Sequence, residues 1–307
     1  MTTGQSWIDE TRDMLLSGYV EELLLLGGNV SNATSDTTVT VTGAASSGIA
    51  TGVIIEIDVE AMYVTAVTGT SVSVLRAYGN STIAAHSSGA IVRISPKFPA
   101  YRILEALNND LRDLSAPNSG LFAMKTITFT YNATTSGYNL GSLTNEEVQS
   151  IYTVTYADPV PIEASEPEIR SWRLKRNRDT AVFSSGLALI LYGTGWPGKK
   201  VTVSYKSPLT TLDNSTINKT VTGLQTTAYD LPPLGAALAL MVATPIRREF
   251  IDAQGSHRRA EEVPPGAISA SMRDLRIRRD NRVQAESARL AAMYPQIWQR
   301  NSSHPAM

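Results

Sequence analysis

The stretch that decides the fold is FPAYRILEALNNDLRDL, residues 98–114. Pro99 favours a helix start, and Ile103, Leu104, Leu107 and Leu111 recur at the spacing of one buried helix face. A Pro-Asn-Ser-Gly turn follows and ends the helix. On both sides of it the sequence changes to alternating runs rich in Val, Ile and Thr, so this helix separates two β-rich regions.

The β-rich regions consist of short runs with a period of two, separated by turns that contain glycine. Before the helix the runs are Thr37–Thr42, Val53–Ile57, Met62–Val67, Ser71–Leu75 and Ala90–Ile94. After it they are Lys125–Tyr131, Ser150–Tyr156, Leu187–Tyr192 and Lys200–Tyr205. We therefore predict a small β-domain over 29–97 and a second β-domain over 118–230, with a long loop or irregular strands between 158 and 179.

Three further helices are predicted. Residues 6–26 begin with a helix-start signal and end before two glycines. The segment 234–250 is apolar nearly all round at its start, which indicates burial on several sides. The segment 267–294 contains three opposite-charge pairs at a spacing of four residues, and a proline ends it.

These elements together predict an α+β fold. Four helices, supplied by residues 1–28, 98–117 and 231–307, form one discontinuous helical bundle, and the two β-rich domains are inserted into it. The apolar helix at 234–250 suggests that the core of the bundle is completed by other copies of the chain or by another protein.

Composition excludes several classes of function. The 307 residues include no cysteine, which removes disulfides, thiolate metal sites and cysteine nucleophiles, and the three histidines are far apart in the sequence. No phosphate-binding loop, dinucleotide fingerprint or nucleophile elbow occurs. We expect a protein that is not an enzyme and that uses no cofactor and no metal.

The sequence also favours assembly in the cytoplasm without a membrane span. Acidic residues near the N-terminus are unlike the basic head of a secretory signal. The longest apolar run, 234–246, falls short of the roughly 20 residues that cross a bilayer.

Charge is distributed unevenly along the chain. Residues 1–231 contain 16 basic and 21 acidic side chains, net −5, whereas residues 232–307 contain 11 and 7, net +4. The two parts can attract one another within a chain or between subunits, or the basic part can line one face of an oligomer.

A resemblance to a known class of proteins is found at residues 75–90, LRAYGNSTIAAHSSGA. This segment looks like the Arg-x-x-Gly and Ala-Ala-His-x-x-Gly turn of small β-domains in structural proteins of tailed phages. The layout of a helix, an insert and then the helix at 98–114 is similar to that of head-to-tail adaptor proteins.

The resemblance implies a structural virion protein at the head-tail junction. Members of that class dock as a ring of twelve copies beneath the portal protein, with a C-terminal segment on the portal and a lumen through which genomic DNA passes without sequence-specific contacts. This chain departs from the smallest adaptors in its second large β-insert, so the next neck or tail protein that it contacts stays open. The alternative is a β-rich tail or baseplate protein that recognises host glycans.

The candidate contact residues lie in the basic C-terminal part. They are Arg247, Arg248, Arg273, Arg276, Arg278, Arg279, Arg282, Trp298 and Arg300. The arginines suit acidic side chains of the portal or the next subunit, or DNA phosphates, or they form a solvated helix neutralised by its own acidic residues. Trp298 suits a pocket of a partner or folds back on its own bundle.

Two other features are interpreted as structural. The acidic run Asp158, Glu163, Glu166 and Glu168 is interpreted as a solvated loop and not as a catalytic carboxylate pair. His86 is interpreted as a turn residue that hydrogen-bonds to backbone and not as a ligand or base.

Overall fold

The computed structural model describes residues 5–16, 21–135, 137–144, 146–157, 167–192, 197–213, 218–242 and 267–295. Within these residues the chain combines α-helices with antiparallel sheets. The helices are α1 (Gln5–Leu16), α2 (Ala100–Leu114), α3 (Leu140–Thr144), α4 (Leu231–Val242) and α5 (Ala267–Met293).

The described residues contain twelve strands, and all except the first, the eighth and the tenth lie where the alternating runs are. They are β1 (Leu23–Leu26), β2 (Thr38–Thr42), β3 (Ile54–Ile57), β4 (Glu60–Thr68), β5 (Ser71–Leu75), β6 (Ile91–Ile94), β7 (Ala123–Thr130), β8 (Tyr138–Asn139), β9 (Ser150–Ala157), β10 (Trp172–Lys175), β11 (Ala188–Leu191) and β12 (Lys200–Ser207). The predicted runs and the helix at 98–114 are confirmed to within two or three residues.

The chain divides into two compact units that are interleaved in sequence. The first contains residues 1–113, 210–222 and 226–283, and the second contains residues 114–209, 223–225 and 284–307.

A closed barrel of six antiparallel strands forms the β-part of the first unit, in the order β1-β2-β5-β4-β3-β6. Its interior is filled by aliphatic side chains from every strand, as the alternation of buried and exposed positions requires. In β2, for example, Val39 and Val41 are buried and the threonines between them are exposed. Closure leaves the barrel without a free sheet edge.

Helices α1 and α4 of the first unit pack against one another. Trp7 of α1 is buried and meets the ring of Tyr229 edge to face, with 5.5 Å between ring centroids. The first seven residues of α4 are all buried, including Leu231 and Leu234. The apolar residues at the start of α4 are therefore buried within the first unit.

The second unit contains two three-stranded sheets, β7-β12-β9 and β10-β11-β8. Val154, Val201 and Val203 of one sheet and Leu189 of the other form a common buried core. A smaller cluster around Leu140 places α3 against the same unit.

The expectation of a helix over 6–26 is wrong for its last residues, because Leu23–Leu26 form strand β1. This strand pairs with β2 on one side and β6 on the other, and it closes the barrel. A run of four leucines fits any buried face, so the helical spacing could not distinguish the two structures. The β-domain consequently begins at residue 23, not at residue 29, and 1–28 is not a purely helical segment.

The second β-domain also ends earlier than the predicted residue 230, since residues 210–222 belong to the first unit. Asn108 of α2 holds this segment: its side chain donates to the carbonyl of Leu212 at 2.8 Å and accepts from the amide of Leu212 at 2.7 Å. Helix α4 begins at Leu231, not at Leu234, because prolines are tolerated in a first helical turn. The rest of the helix expected to Phe250 lies outside the described residues.

Candidate functional site

Helix α5 carries most of the predicted contact arginines, and one of them, Arg279, is held inside the first unit. Its guanidinium nitrogen Nη2 lies 2.6 Å from Oδ1 of Asp110 and 2.9 Å from Oδ2 of Asp113, both on α2. The side chains of Arg279 and Asp110 are only 13% and 7% exposed. Because both groups are shielded, separating them would leave a buried charge unpaired, and the pair therefore fixes the position of α5 against α2.

Asp110 is packed tightly from a second direction by α4. A Cβ atom added to Gly235 would lie 1.7 Å from Asp110 Oδ1, so only glycine fits at this position. Burial raises the pKa of Asp110 to about 7, although the charge and hydrogen bond of Arg279 act in the opposite direction.

Arg282 is also engaged within the first unit. Its Nε and Nη2 atoms each lie 2.9 Å from a carboxylate oxygen of Asp230, and Nη2 donates to the carbonyl of Thr227 at 2.7 Å. The hydrogen bonds from Arg282 lower the pKa of Asp230, and its burial acts in the opposite direction. This bidentate ion pair holds α5 against Asp230, the residue that precedes α4.

The remaining predicted arginines of α5 are different. Arg273, Arg276 and Arg278 are exposed, and Ile277 between them is 51% exposed. In the described part of the chain none of these three arginines forms an ion pair. The side chains of Arg273 and Arg276 are therefore available to a partner of opposite charge, whereas the charge of Arg278 also helps to lower the pKa of Asp230.

The other four predicted contact residues are not among those that the structure describes. They are Arg247, Arg248, Trp298 and Arg300.

The turn at residues 75–90 belongs to a buried charged cluster that the sequence did not predict. Arg76 clamps Glu60 through Nε and Nη2 at 2.9 and 2.6 Å, and His86 Nε2 lies 3.0 Å from the same carboxylate. His86 Nδ1 lies 2.8 Å from Asp58. Since ionised carboxylates only accept hydrogen bonds, both nitrogens of the His86 ring donate, and the ring is therefore the positively charged imidazolium. The cluster then holds two positive and two negative charges.

The pKa values follow from these contacts. Burial tends to raise the pKa of Glu60, but the hydrogen bonds from His86, Arg76 and the amide of Ala84 outweigh it and lower the pKa from 4.5 to about 2. Burial tends to lower the pKa of His86, and its bonds to Asp58 and Glu60 raise it instead.

The sequence predicts that His86 is a turn residue that hydrogen-bonds to backbone. Its backbone does pair with Val30, but its imidazole binds carboxylates. One feature of the sequence indicates this contact: Glu60 is the single charged residue of β4, and a charged residue in a strand with a buried face needs a buried partner.

A second buried carboxylate connects the barrel with two helices. Glu56 of β3 accepts a hydrogen bond from Arg12 of α1 at 2.6 Å and from the amide of Ala100, the first residue of α2. Burial raises the pKa of Glu56, while Arg12 and the amide act in the opposite direction. Both side chains are almost fully buried, so they hold these elements together and do not offer a reactive group to a substrate.

Elsewhere the described residues give little chemistry. They contain no group of three or more His, Asp or Glu side chains arranged for a metal ion, and no helix with both the length and the apolar composition to cross a membrane. In the acidic run only Glu168 is described; it forms a bridge with Thr155, and its carboxylate lies 3.5 Å from Arg170. Asp158, Glu163 and Glu166 lie outside the described residues.

Comparisons with known proteins add no identity. No protein-family model matches the chain, and no curated protein matches it.

Proposed function

We propose that this chain is a structural virion protein, the head-to-tail adaptor of a tailed phage, which forms a ring between the portal and the neck or tail proteins. It acts by packing and charge complementarity and has no enzymatic role. The ring surrounds a channel through which genomic DNA passes without sequence-specific contacts. The resemblance at residues 75–90 is the starting point of this proposal.

The proposal includes a fold in which α1, α2, α4 and α5 form one discontinuous bundle with two inserted β-domains. Three sets of contacts within the first unit support it. Helix α1 packs on α4, Gly235 of α4 lies directly on Asp110 of α2, and Arg279 of α5 binds that same aspartate. All four helices are thus linked by direct contacts.

The observation that carries the proposal is the division among the arginines of α5. Arg279 and Arg282 fix the helix inside the unit, whereas Arg273, Arg276 and Arg278 remain exposed beside an exposed isoleucine. A rigid helix that presents both cationic and apolar groups is suited to a protein partner, because hot spots combine arginine with apolar contact. The partner is the portal or the next subunit.

The experiment is binding of the full chain to purified portal rings of the same virion, followed by native mass spectrometry. We expect a defined ring of copies on each portal. The triple variant R273E/R276E/R278E should bind at least about tenfold more weakly, since reversed charges repel acidic partners. The matched control is R178E, which reverses an exposed arginine of the second unit.

Two results would refute the proposal. One is the absence of a complex between the unaltered chain and the portal, and the other is a triple variant that forms the same ring on the portal, with the same affinity, as the control. Specific binding of the chain to host glycans without portal binding would establish the alternative function.

A further inference from the structure

We propose that the exposed acidic face of α1 docks on the exposed arginine face of α5 in a second copy of this chain, so that copies join head to tail. The inference rests on the proposed function in one respect: it assigns the arginine face to the next subunit and not to the portal. The argument for it comes from the two helix surfaces themselves.

The acidic face of α1 consists of Glu10, Asp13 and Met14. The two carboxylates are exposed, and Met14 is 38% exposed. The opposite side of the helix is buried around Trp7 and Ile8. The face is therefore turned away from the core of its own unit.

Several carboxylates lie close enough to Glu10 to act on its charge, and Lys219 lies among them. The pKa of Glu10 is raised, first by partial burial and then by the negative charges of Asp13, Asp230 and Asp9. Only Lys219 acts in the opposite direction among the groups that affect it. A cation brought to this face would relieve repulsion among these carboxylates.

The arginine face of α5 contains Arg273, Arg276 and Ile277, and the exposed Asp280 lies one turn beyond Arg276 on the same side. The first three residues are also exposed, whereas Arg279 on another side of the helix is bound to α2. Helix α5 is thereby fixed to α2 through one side, and its other side is exposed to solvent.

The two faces have the same layout with opposite charge. In α1 the order is Glu10, Asp13 and Met14, and in α5 it is Arg273, Arg276 and Ile277. Each set occupies positions i, i+3 and i+4, which are neighbours on a helix surface. Two charges beside one apolar residue on each helix allow ion pairs to flank an apolar contact, as at the seams of paired helices.

A second copy is the partner that explains both faces. DNA would neutralise the arginines and leave the acidic face without a partner, whereas a copy of the chain supplies both surfaces. The net charges of −5 for residues 1–231 and +4 for residues 232–307 have the same signs as the two faces. Because the two faces differ, the contact is heterologous and it produces a ring if the rotation between copies closes.

Cysteine cross-linking tests the contact directly, because the chain contains no cysteine of its own. One chain carries Met14→Cys and a differently tagged chain carries Ile277→Cys. We expect a disulfide between the two different chains, in excess over either symmetric product. Symmetric products alone, or no cross-link up to the solubility limit of the protein, would overturn the inference.

Charge exchange provides the second test, measured by sedimentation velocity at low salt. The variants E10R/D13R and R273E/R276E should each self-associate at least about tenfold more weakly than the unaltered chain. An equimolar mixture of the two should recover association, and so should the quadruple variant that carries all four changes. Circular dichroism should be the same for all of them, because the altered side chains are exposed.

The outcomes separate this inference from the proposed function. If the quadruple variant stays dissociated while the unaltered chain still binds portal rings, the inference fails and the adaptor role stands. If charge exchange restores self-association but no chain binds portal rings, the adaptor role fails and the inference stands. Weaker portal binding by R273E/R276E that the quadruple variant does not recover assigns the arginine face to the portal and overturns the inference.

Discussion

Replacement of Glu60 by glutamine is the most informative single change in the barrel. Glu60 is the centre of the buried cluster: it accepts hydrogen bonds from Arg76, His86 and the amide of Ala84, and its side chain is fully buried. The variant E60Q has nearly the same shape, but it removes the negative charge and turns an amide NH2 group toward cationic donors.

The cost of the change follows from the loss of the buried negative charge. Removal of one partner from a buried ion pair costs about 3–5 kcal/mol, because the other charge stays buried without compensation. The pKa of Glu60 falls from 4.5 to about 2 on folding, and this shift corresponds to about 3 kcal/mol of stability. We therefore expect E60Q to destabilise the barrel by about 3 kcal/mol near pH 5.5.

The pH dependence has a definite sign. A carboxyl group whose pKa is lowered by folding stabilises the protein above its unfolded pKa, and this stabilisation is lost as the pH falls from about 4.5 toward 2. The difference in stability between the unaltered chain and E60Q should therefore decrease over that range. Comparison of the two proteins cancels contributions from other titrating groups, provided they do not interact with residue 60.

Hydrogen exchange of the amides of β4 and β5, followed by mass spectrometry, measures the opening of the barrel. A loss of about 3 kcal/mol accelerates exchange by roughly a hundredfold. E105Q, which alters an exposed glutamate of α2, is the matched control and should exchange like the unaltered chain. An acceleration of less than about tenfold in E60Q, or a difference that does not change with pH, would refute the reasoning.

Three further changes test the packing inside each unit by thermal or urea unfolding. Asn108→Ala removes two backbone contacts and should cost about 1–3 kcal/mol, whereas the exposed neighbour Asn109→Ala should be nearly neutral; equal effects would contradict the role of the first asparagine. Gly235→Ala forces a methyl group onto a buried carboxylate and should cost about 1–3 kcal/mol, while Gly28→Ala, with its nearest neighbour 4.0 Å away, should cost less than about 1. Gly223→Ala in the second unit combines a positive φ with a methyl contact of 2.5 Å from β7, so it should destabilise by more than about 1 kcal/mol; an unchanged midpoint would be inconsistent with this packing.

Local patterns predicted most of the secondary structure, since the physics of these elements is local. Alternation in β2 and β5 places every second residue inside a barrel, and the helical spacing in α2 buries one face. Glycines and prolines mark most boundaries in the sequence. The leucine run at 23–26 is the exception, because all four residues are apolar and neither period can be distinguished; the pairing with β6 decides its structure.

Partners distant in sequence explain what could not be predicted at the candidate site. The arginines of α5 form one basic cluster in the sequence, with acidic residues of the same helix as the evident partners. In the structure Arg279 binds Asp110, 169 positions away, and Arg282 binds Asp230, 52 positions away. Tertiary contacts determine which arginines remain exposed, and the spacing of residues along the helix gives no information about those contacts.

The two buried carboxylates of the barrel have different consequences for the proposed adaptor. Glu60 holds a loop within the barrel, so its loss weakens the barrel alone. Glu56 binds Arg12 of α1 and the amide at the start of α2, so the barrel cannot shift against either helix without leaving a buried charge unpaired. A buried pair of this kind contributes little net stability compared with apolar packing, but it allows only one relative position of the groups it joins. We therefore expect α1 and the barrel to move together when a partner binds the outer face of α1.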